Sequence, residues 1–237
     1  MTAKIRHSAK DTILYDADRL GNAADLSFDR NELVARGSIL GAAEGRGTTL
    51  FIQHDGQDLA LRHYHRGGLV ARFLTDEYFW TGLSRTRAWK EWHLLASLYE
   101  KGLPVPAPVA ARVIRQGLVY SADIMTVRIP KAQPVAQILM QQSLTEQSWQ
   151  AIGACIRRFH QQGVYHADLN ANNILLDNQQ QVFIIDFDRG EFRKPAIRWQ
   201  QENIARLLRS LNKIKAHAET FYFTESDWQN LLAGYQS

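Results

Sequence analysis

The sequence predicts an α+β fold in two lobes, a sheet-rich N-lobe over residues 1–122 and a compact, mostly helical C-lobe over 123–237. Three observations carry this expectation. Two β-prone runs, TTLFIQ and DLALRHY, flank His54-Asp55-Gly56-Gln57, and Asp-Gly between such runs signals a hairpin. Apolar residues recur at helical spacing from Ser84 to Tyr99 and again from Trp149 to Phe159. Between those helices the Pro-rich stretch LPVPAPVAARV leads into the strand-like VYSADIMTV and reads as the joint between the lobes.

In the N-lobe, Gly45-Arg46-Gly47-Thr48-Thr49 precedes the hairpin. Alternation in the second run puts Leu59 and Leu61 on one face and Ala60, Arg62 and Tyr64 on the other. After a Gly67-Gly68 break, the helix from Ser84 carries Ala88, Trp92, Leu95, Leu98 and Tyr99, with Ser84 as N-cap and Gly102 then Pro104 as its end. Glu91 lies three residues after Ala88 and four before Leu95, so a carboxylate shares the apolar stripe. In the C-lobe, Ser143 with Glu146 reads as a capping box, and Trp149, Ile152, Ile156 and Phe159 carry a helix to a stop at Gly163. The run VFIID then reads as a buried strand that ends in an acid.

The composition is that of an ordinary globular chain: 237 residues, 45% hydrophobic, 22% charged and 10% aromatic. Disordered tails and small disulfide scaffolds are excluded. Lys plus Arg at 28 against Asp plus Glu at 24 leaves a net charge of +4. The excess is local, since Arg62, Arg66, Arg72, Arg85, Arg87 and Lys90 face only Asp76 and Glu77 in that stretch. This suits an anionic partner such as a membrane surface, and no nucleic acid is expected. One cysteine, Cys155, fits a reducing compartment. The N-terminus has no apolar targeting core, and no run of ~18 apolar residues spans a bilayer, so membrane contact is expected to be peripheral.

His166-Ala167-Asp168-Leu169 followed by Asn173 matches H-x-D-L-x-x-x-N, and Asp186-Phe187-Asp188 begins thirteen residues after Asn173. Phosphoryl transfer needs a carboxylate to orient the attacking hydroxyl, oxygen ligands for Mg²⁺ and cations or N–H groups around the phosphates. Asp168 supplies the first, as the base. Asn173 and Asp186 supply the metal ligands, being hard oxygen donors. Gly-rich hairpin, basic strand residue, helix glutamate, joint, catalytic loop and D-F-x occur in the order of a protein-kinase-like fold. His166 is expected to prop its loop, Trp89, Trp92 and Trp149 to lie in the core, and Cys155 to be a small buried hydrophobe.

EGRGTTLF, LRHYHRGGL, TRAWKEWHLL, HADLNANNILLD and IIDFDRG together resemble the small kinases of lipopolysaccharide core assembly, especially those acting on 3-deoxy-D-manno-octulosonic acid (Kdo). The resemblance implies ATP and Mg²⁺ as cosubstrates. It further implies, as acceptor, a Kdo hydroxyl on a lipid A precursor at the cytoplasmic face of the bacterial inner membrane. On this pattern Arg62 with Glu91 forms a phosphate clamp, Gly45 and Gly47 a backbone lid, and Met125, in the Asp123 to Val127 strand, lies near the adenine. Arg62 stands where protein kinases place a lysine, Ala167 replaces the H-R-D arginine, and Asp188 replaces the D-F-G glycine. Only 49 residues follow Asp188 and no A-P-E occurs, which favours a small or lipid-sugar acceptor. A heptose kinase, an atypical protein kinase and a nucleotide- or lipid-binding pseudokinase stay open, although intact Asp168, Asn173 and Asp186 argue against the last.

Overall fold

A computed structural model describes residues 1–23, 25–43, 49–65 and 77–237. The chain divides into two compact units, Met1–Glu100 with Ala107–Arg128, and Lys101–Pro106 with Ile129–Ser237. A boundary at 122/123 would cut a strand that stays whole within the first unit, so the crossing falls at 128/129 instead. The Pro-rich stretch carries an earlier crossing, but its second half is a strand of the first unit's sheet and not a linker.

The first unit contains β1 (Ala3–His7), β2 (Thr12–Asp16), α1 (Ala17–Leu20), α2 (Arg30–Ala35), β3 (Ile39–Ala43), β4 (Thr49–His54), β5 (Gln57–His63), β6 (Tyr78–Phe79), α3 (Arg87–Glu100), β7 (Pro108–Gln116) and β8 (Val119–Val127). Among the described residues its strands form one sheet in the order β1-β2-β7-β8-β5-β4-β3, with β6 added on β8. The β4–β5 hairpin closes with Asp55 and Gly56 both at positive φ, 47° and 75°, between the paired His54 and Gln57. Two such residues match the right-handed twist of the strands, which is why Asp-Gly serves there.

Strand alternation sorts this unit's core. Leu50, Ile52, Leu59 and Leu61 join Ile13, Tyr15 and Met125 on one face, where Leu26, Phe28 and Leu33 from the α1–α2 region cover them. Helix α3 packs on β7 and β8 and buries Ala88, Glu91, Trp92, Leu95 and Leu98. Tyr99, expected on that stripe, is exposed, and its hydroxyl accepts a 3.2 Å bond from Arg19. Ser84 does not cap α3, because it lies inside a 3₁₀ turn over Leu83–Arg85. The helix starts beyond Thr86, whose carbonyl accepts from the Lys90 N–H at 3.1 Å.

The second unit contains β9 (Gln133–Pro134), α4 (Val135–Leu139), α5 (Glu146–Gln161), β10 (Val164–Tyr165), β11 (Ile174–Leu176), β12 (Val182–Ile184), β13 (Glu191–Phe192), α6 (Ile197–Lys215) and α7 (Glu225–Gln236). Strands β12-β11-β9 make one small sheet and β10-β13 another. Thr145, not Ser143, caps α5: its Oγ1 accepts from Ser148 N at 3.1 Å, and Glu146 is already the first helical residue. Trp149, Ile152, Ile156 and Phe159 are buried along α5, as their spacing predicts.

Helices α5 and α7 meet backbone to backbone. A Cβ added at Gly153 would lie 2.0 Å from the Leu231 carbonyl oxygen, and one at Gly234 would lie 2.0 Å from that of Gln150. Neither neighbour is a flexible side chain, so the helices must part to admit a methyl group. Gly153→Ala is therefore expected to destabilise the protein by about 3 kcal/mol or slightly less, the upper part of the usual overpacking range. Urea denaturation checks this, and an unchanged midpoint would contradict the close contact.

Candidate functional site

In the second unit the segment after β10 is fixed by its own asparagines and by helix α6. His166 is buried and uses both ring nitrogens: Nδ1 accepts from the Asp168 N–H at 3.1 Å, and Nε2–H donates to the Ile185 carbonyl at 2.9 Å. That pattern is one neutral tautomer, and burial lowers the pKa of the ring. The Asn203 side chain holds the His166 backbone from α6, accepting from its N–H at 3.3 Å and donating to its carbonyl at 3.1 Å. Asn170 Nδ2 and Asn173 Nδ2 both donate to the Asp168 carbonyl, at 2.9 and 3.0 Å. The Asp168 carboxylate stays half exposed, with Oδ1 3.3 Å from Arg206 Nη1 and Oδ2 3.2 Å from Asn170 Nδ2.

The antiparallel pair β11–β12 brings the other two polar residues to one end. Ile174 pairs with Ile184, and the Ile185 N–H donates to the Asn173 carbonyl at 3.0 Å, so Ile185 stands opposite Asn173 and Asp186 follows it at the same end of the pair. Asp186 has φ 63°, a left-handed conformation that is uncommon outside glycine. It persists because its neighbour is locked: Phe187 is fully buried, stacked on Phe159 at 5.7 Å and packed on His166 at 4.7 Å. Since Asn173 commits its side-chain nitrogen to the loop, its side-chain Oδ1 is left for another partner. Among the described residues no group of three or more His, Cys, Asp or Glu side chains stands together as a metal cluster. A Mg²⁺ site of one carboxylate and one amide oxygen, completed by phosphate and water, does not need one, so the donor set fits.

Two neutral buried histidines make this unit's stability depend on pH. Burial pulls His160 down to about 4, and His166 is also lowered by burial. Both titrate near ~6.5 when unfolded. A folded pKa below the unfolded one means that the unfolded chain takes up protons first as pH falls. The stabilisation is complete above about pH 6.5 and is lost as pH falls below it, for His160 toward pH 4 at up to ~1.4 kcal/mol per pH unit, with His166 acting in the same direction. The urea midpoint is expected to fall across that window, and His160→Gln should flatten the slope. A midpoint independent of pH would contradict the burial of these rings as neutral species.

In the first unit Arg62 and Glu91 form an ion pair, with Arg62 Nη2 2.6 Å from each carboxylate oxygen of Glu91. Glu91 is only 3% exposed. Tyr64 shares the face of Arg62, and its hydroxyl donates to Glu91 Oε2 at 2.5 Å. The contact is not the fork-on-fork arrangement expected of an arginine, because one nitrogen spans both oxygens.

Met125 requires a correction. Register pairs Arg62 with Ile124 and Leu61 with Met125, and paired residues share a face of the sheet. Met125 therefore lies on the face opposite Arg62, fully buried in the apolar cluster. It is a core residue, and an adenine on Arg62's side would meet Thr126 instead, since Ile124 is buried as well. Gly45 and Gly47 lie outside the described residues. So do Arg66 and Arg72 of the basic stretch, while Arg62 is turned to Glu91 and Arg87 lies over the rings of Tyr64 and Tyr78 at 5.5 and 4.8 Å. Arg85 and Lys90 are exposed.

Sequence motifs missed three residues on α6. Asn203, Arg206 and Ser210 reach His166, Asp168 and the Ala171 N–H, respectively. The available signal was their spacing of three and four, which places polar groups on one helical stripe. Trp89, Trp92 and Trp149 are core residues. Cys155 is buried, its pKa pushed up to about 12, chiefly by burial, which suits a small hydrophobe and not a nucleophile.

A half-exposed carboxylate on a histidine-anchored loop, with amide and carboxylate oxygens on the adjoining hairpin, suits a phosphotransferase with an alcohol acceptor. Similarity narrows the class. A model of the lipopolysaccharide kinase (Kdo/WaaP) family matches residues 32–235, and the chain belongs to that family. It is 41% identical over 225 residues to a 3-deoxy-D-manno-octulosonic acid kinase of Vibrio vulnificus (strain YJ016), covering 95% of this chain and 94% of that one. The enzyme of the same name from Photobacterium profundum is 39% identical over 224 residues, or 94% of each chain. That of Haemophilus influenzae (strain 86-028NP) is 40% identical over 230 residues, covering 94% of this chain and 95% of that one.

Proposed function

We propose that this protein transfers the γ-phosphoryl group of ATP to a hydroxyl of Kdo on a lipid A precursor, in lipopolysaccharide core biosynthesis. The observation that carries the reading is the second unit's loop, with Asp168 half exposed on a segment pinned by His166 and Asn203. Asp168 orients the acceptor hydroxyl and takes its proton. Asn173 and Asp186 would hold Mg²⁺, which when bound to the phosphates neutralises the charge that develops during transfer. Arg62, held by Glu91, contributes positive charge to ATP phosphates. A two-lobed, protein-kinase-like fold belongs to the same reading, supported by the order of these parts along the chain. The shared name of the relatives favours Kdo over a heptose acceptor.

The enzyme works at the anionic cytoplasmic face of the inner membrane as a peripheral protein. Among the described residues no helix is long and apolar enough to cross a membrane. Support for peripheral contact comes from residues 189–198, where Phe192 is 45% and Ile197 71% exposed beside Arg189, Arg193, Lys194 and Arg198. Asp188, Glu191 and Glu202 offset part of that charge, at 3.8, 2.7 and 3.3 Å from Arg189, Arg193 and Arg198. Apolar side chains ringed by cations suit an anionic interface. Replacing Phe192 with Ser and Ile197 with Asp should weaken binding to phosphatidylglycerol vesicles about 30-fold or more, given ~1 kcal/mol or more for each inserted side chain. Unchanged sedimentation with vesicles would remove this segment from the interface.

The acceptor is tested by incubating the protein with labelled ATP, Mg²⁺ and a panel of Kdo-lipid, heptose-lipid and protein acceptors. Label is expected in the Kdo-lipid alone. Label confined to another acceptor would replace this reading, and nucleotide binding without transfer would make the protein a pseudokinase.

A further inference from the structure

We infer that Arg206 is the acceptor-recognition residue, its guanidinium binding the carboxylate of the acceptor sugar and so presenting the sugar's hydroxyl to Asp168. This rests on the function proposed above. Arg206 Nη1 lies 3.3 Å from Asp168 Oδ1, and both side chains are 44% exposed. An ion pair that long and that open contributes little to folding. Holding the loop falls to its neighbours on α6, Asn203 and Ser210, which bond to the backbone at His166 and Ala171. Arg206 is therefore not required as a structural tie. It places a charge at the reacting end of the site.

The chemistry of the acceptor explains why a charge is needed there. The relatives' substrate is an octulosonic acid, ionised at neutral pH, and an anionic acceptor must approach a catalytic carboxylate of the same sign. Like charges a few ångströms apart oppose that approach unless a cation lies between them. Among the described residues only Nη1 of Arg206 meets a protein acceptor, so the remaining edge of the fork matches an incoming carboxylate, with two N–H groups for its two oxygens. Arg209 and Lys213 follow at three and seven residues, exposed on the same helical face, and extend the positive charge away from Asp168. Glu202, the acid on that stripe, pairs with Arg198. A heptose lacks the carboxylate, so this contact also separates the two sugar classes.

The test combines a protein substitution with an acceptor substitution. Wild type, Arg206→Ala and Arg206→Lys are assayed with a Kdo-bearing acceptor and with its methyl ester, at saturating ATP, and KM for ATP is measured separately. For the acid, Arg206→Ala should raise acceptor KM about 10- to 100-fold, the value of one charged hydrogen-bonded contact. Arg206→Lys should fall between it and wild type. For the ester, wild type and Arg206→Ala should differ little. KM for ATP and the melting temperature should be unchanged. Equal losses with acid and ester, or a raised KM for ATP, would assign the cation to the phosphoryl group and overturn the inference while leaving the Kdo kinase reading intact. A wild-type protein that phosphorylates neither acceptor would overturn both.

Discussion

Asp168→Ala is expected to lower kcat by about 10²–10⁴, the usual range for loss of a general base, while ATP binding is kept. The separation of the two effects follows from how the loop is held. Asn170 and Asn173 bond to the Asp168 backbone carbonyl, and His166 accepts from its N–H, so an alanine leaves these bonds in place. Only the side-chain contacts to Asn170 and Arg206 are lost. Asp168→Asn adds a control, since it keeps the shape of the side chain and removes its ability to take a proton. Single-turnover transfer and nucleotide titration measure the two quantities, and wild-type-like turnover of either variant would remove Asp168 from the chemistry.

Arg62→Ala is expected to cost on the order of 3 kcal/mol of stability, because it takes a closely paired cation away from a buried carboxylate. Tyr64 still donates to Glu91, which keeps the loss toward the lower end of the range for broken buried pairs. Glu91→Gln should cost less, since it leaves Arg62, which is partly exposed, to find water. If the pair acts as a unit, the double variant loses much less than the sum, in stability and in KM for ATP alike. Because a single nitrogen spans both carboxylate oxygens, Arg62→Lys should recover most of the stability. Additive losses in the double-mutant cycle would show that the two residues act independently, and the phosphate clamp would then be abandoned.

Local signals were legible in the sequence and long-range ones were not. Asp55-Gly56 specifies its turn through backbone conformations that few other residue pairs adopt, and the periodicity around Glu91 places a carboxylate on a buried face. The loop around Asp168 was legible because His166, Asn170 and Asn173 stand at fixed offsets within eight residues and satisfy the backbone N–H and carbonyl of Asp168. Helix starts were shifted by competing caps: Thr145 captured α5 in place of Ser143, and a 3₁₀ turn absorbed Ser84. Met125 was misplaced because its face depends on pairing with β5, which no property of its own strand reveals. Arg206 and Asn203 lie more than thirty residues from the loop they contact, so their spacing on α6 marks a polar stripe without naming its target. The strands β1 and β2, before the hairpin, carry too short a pattern to stand out, although Ile13 and Tyr15 belong to the core.

The most direct measurement is the product itself. Purified protein is incubated with ATP, Mg²⁺ and a lipid A precursor bearing Kdo, and the product is fragmented by tandem mass spectrometry. The account predicts one added phosphate on the Kdo residue with wild type and none with Asp168→Ala. Phosphate on the glucosamine backbone, or equal product from both proteins, would contradict it.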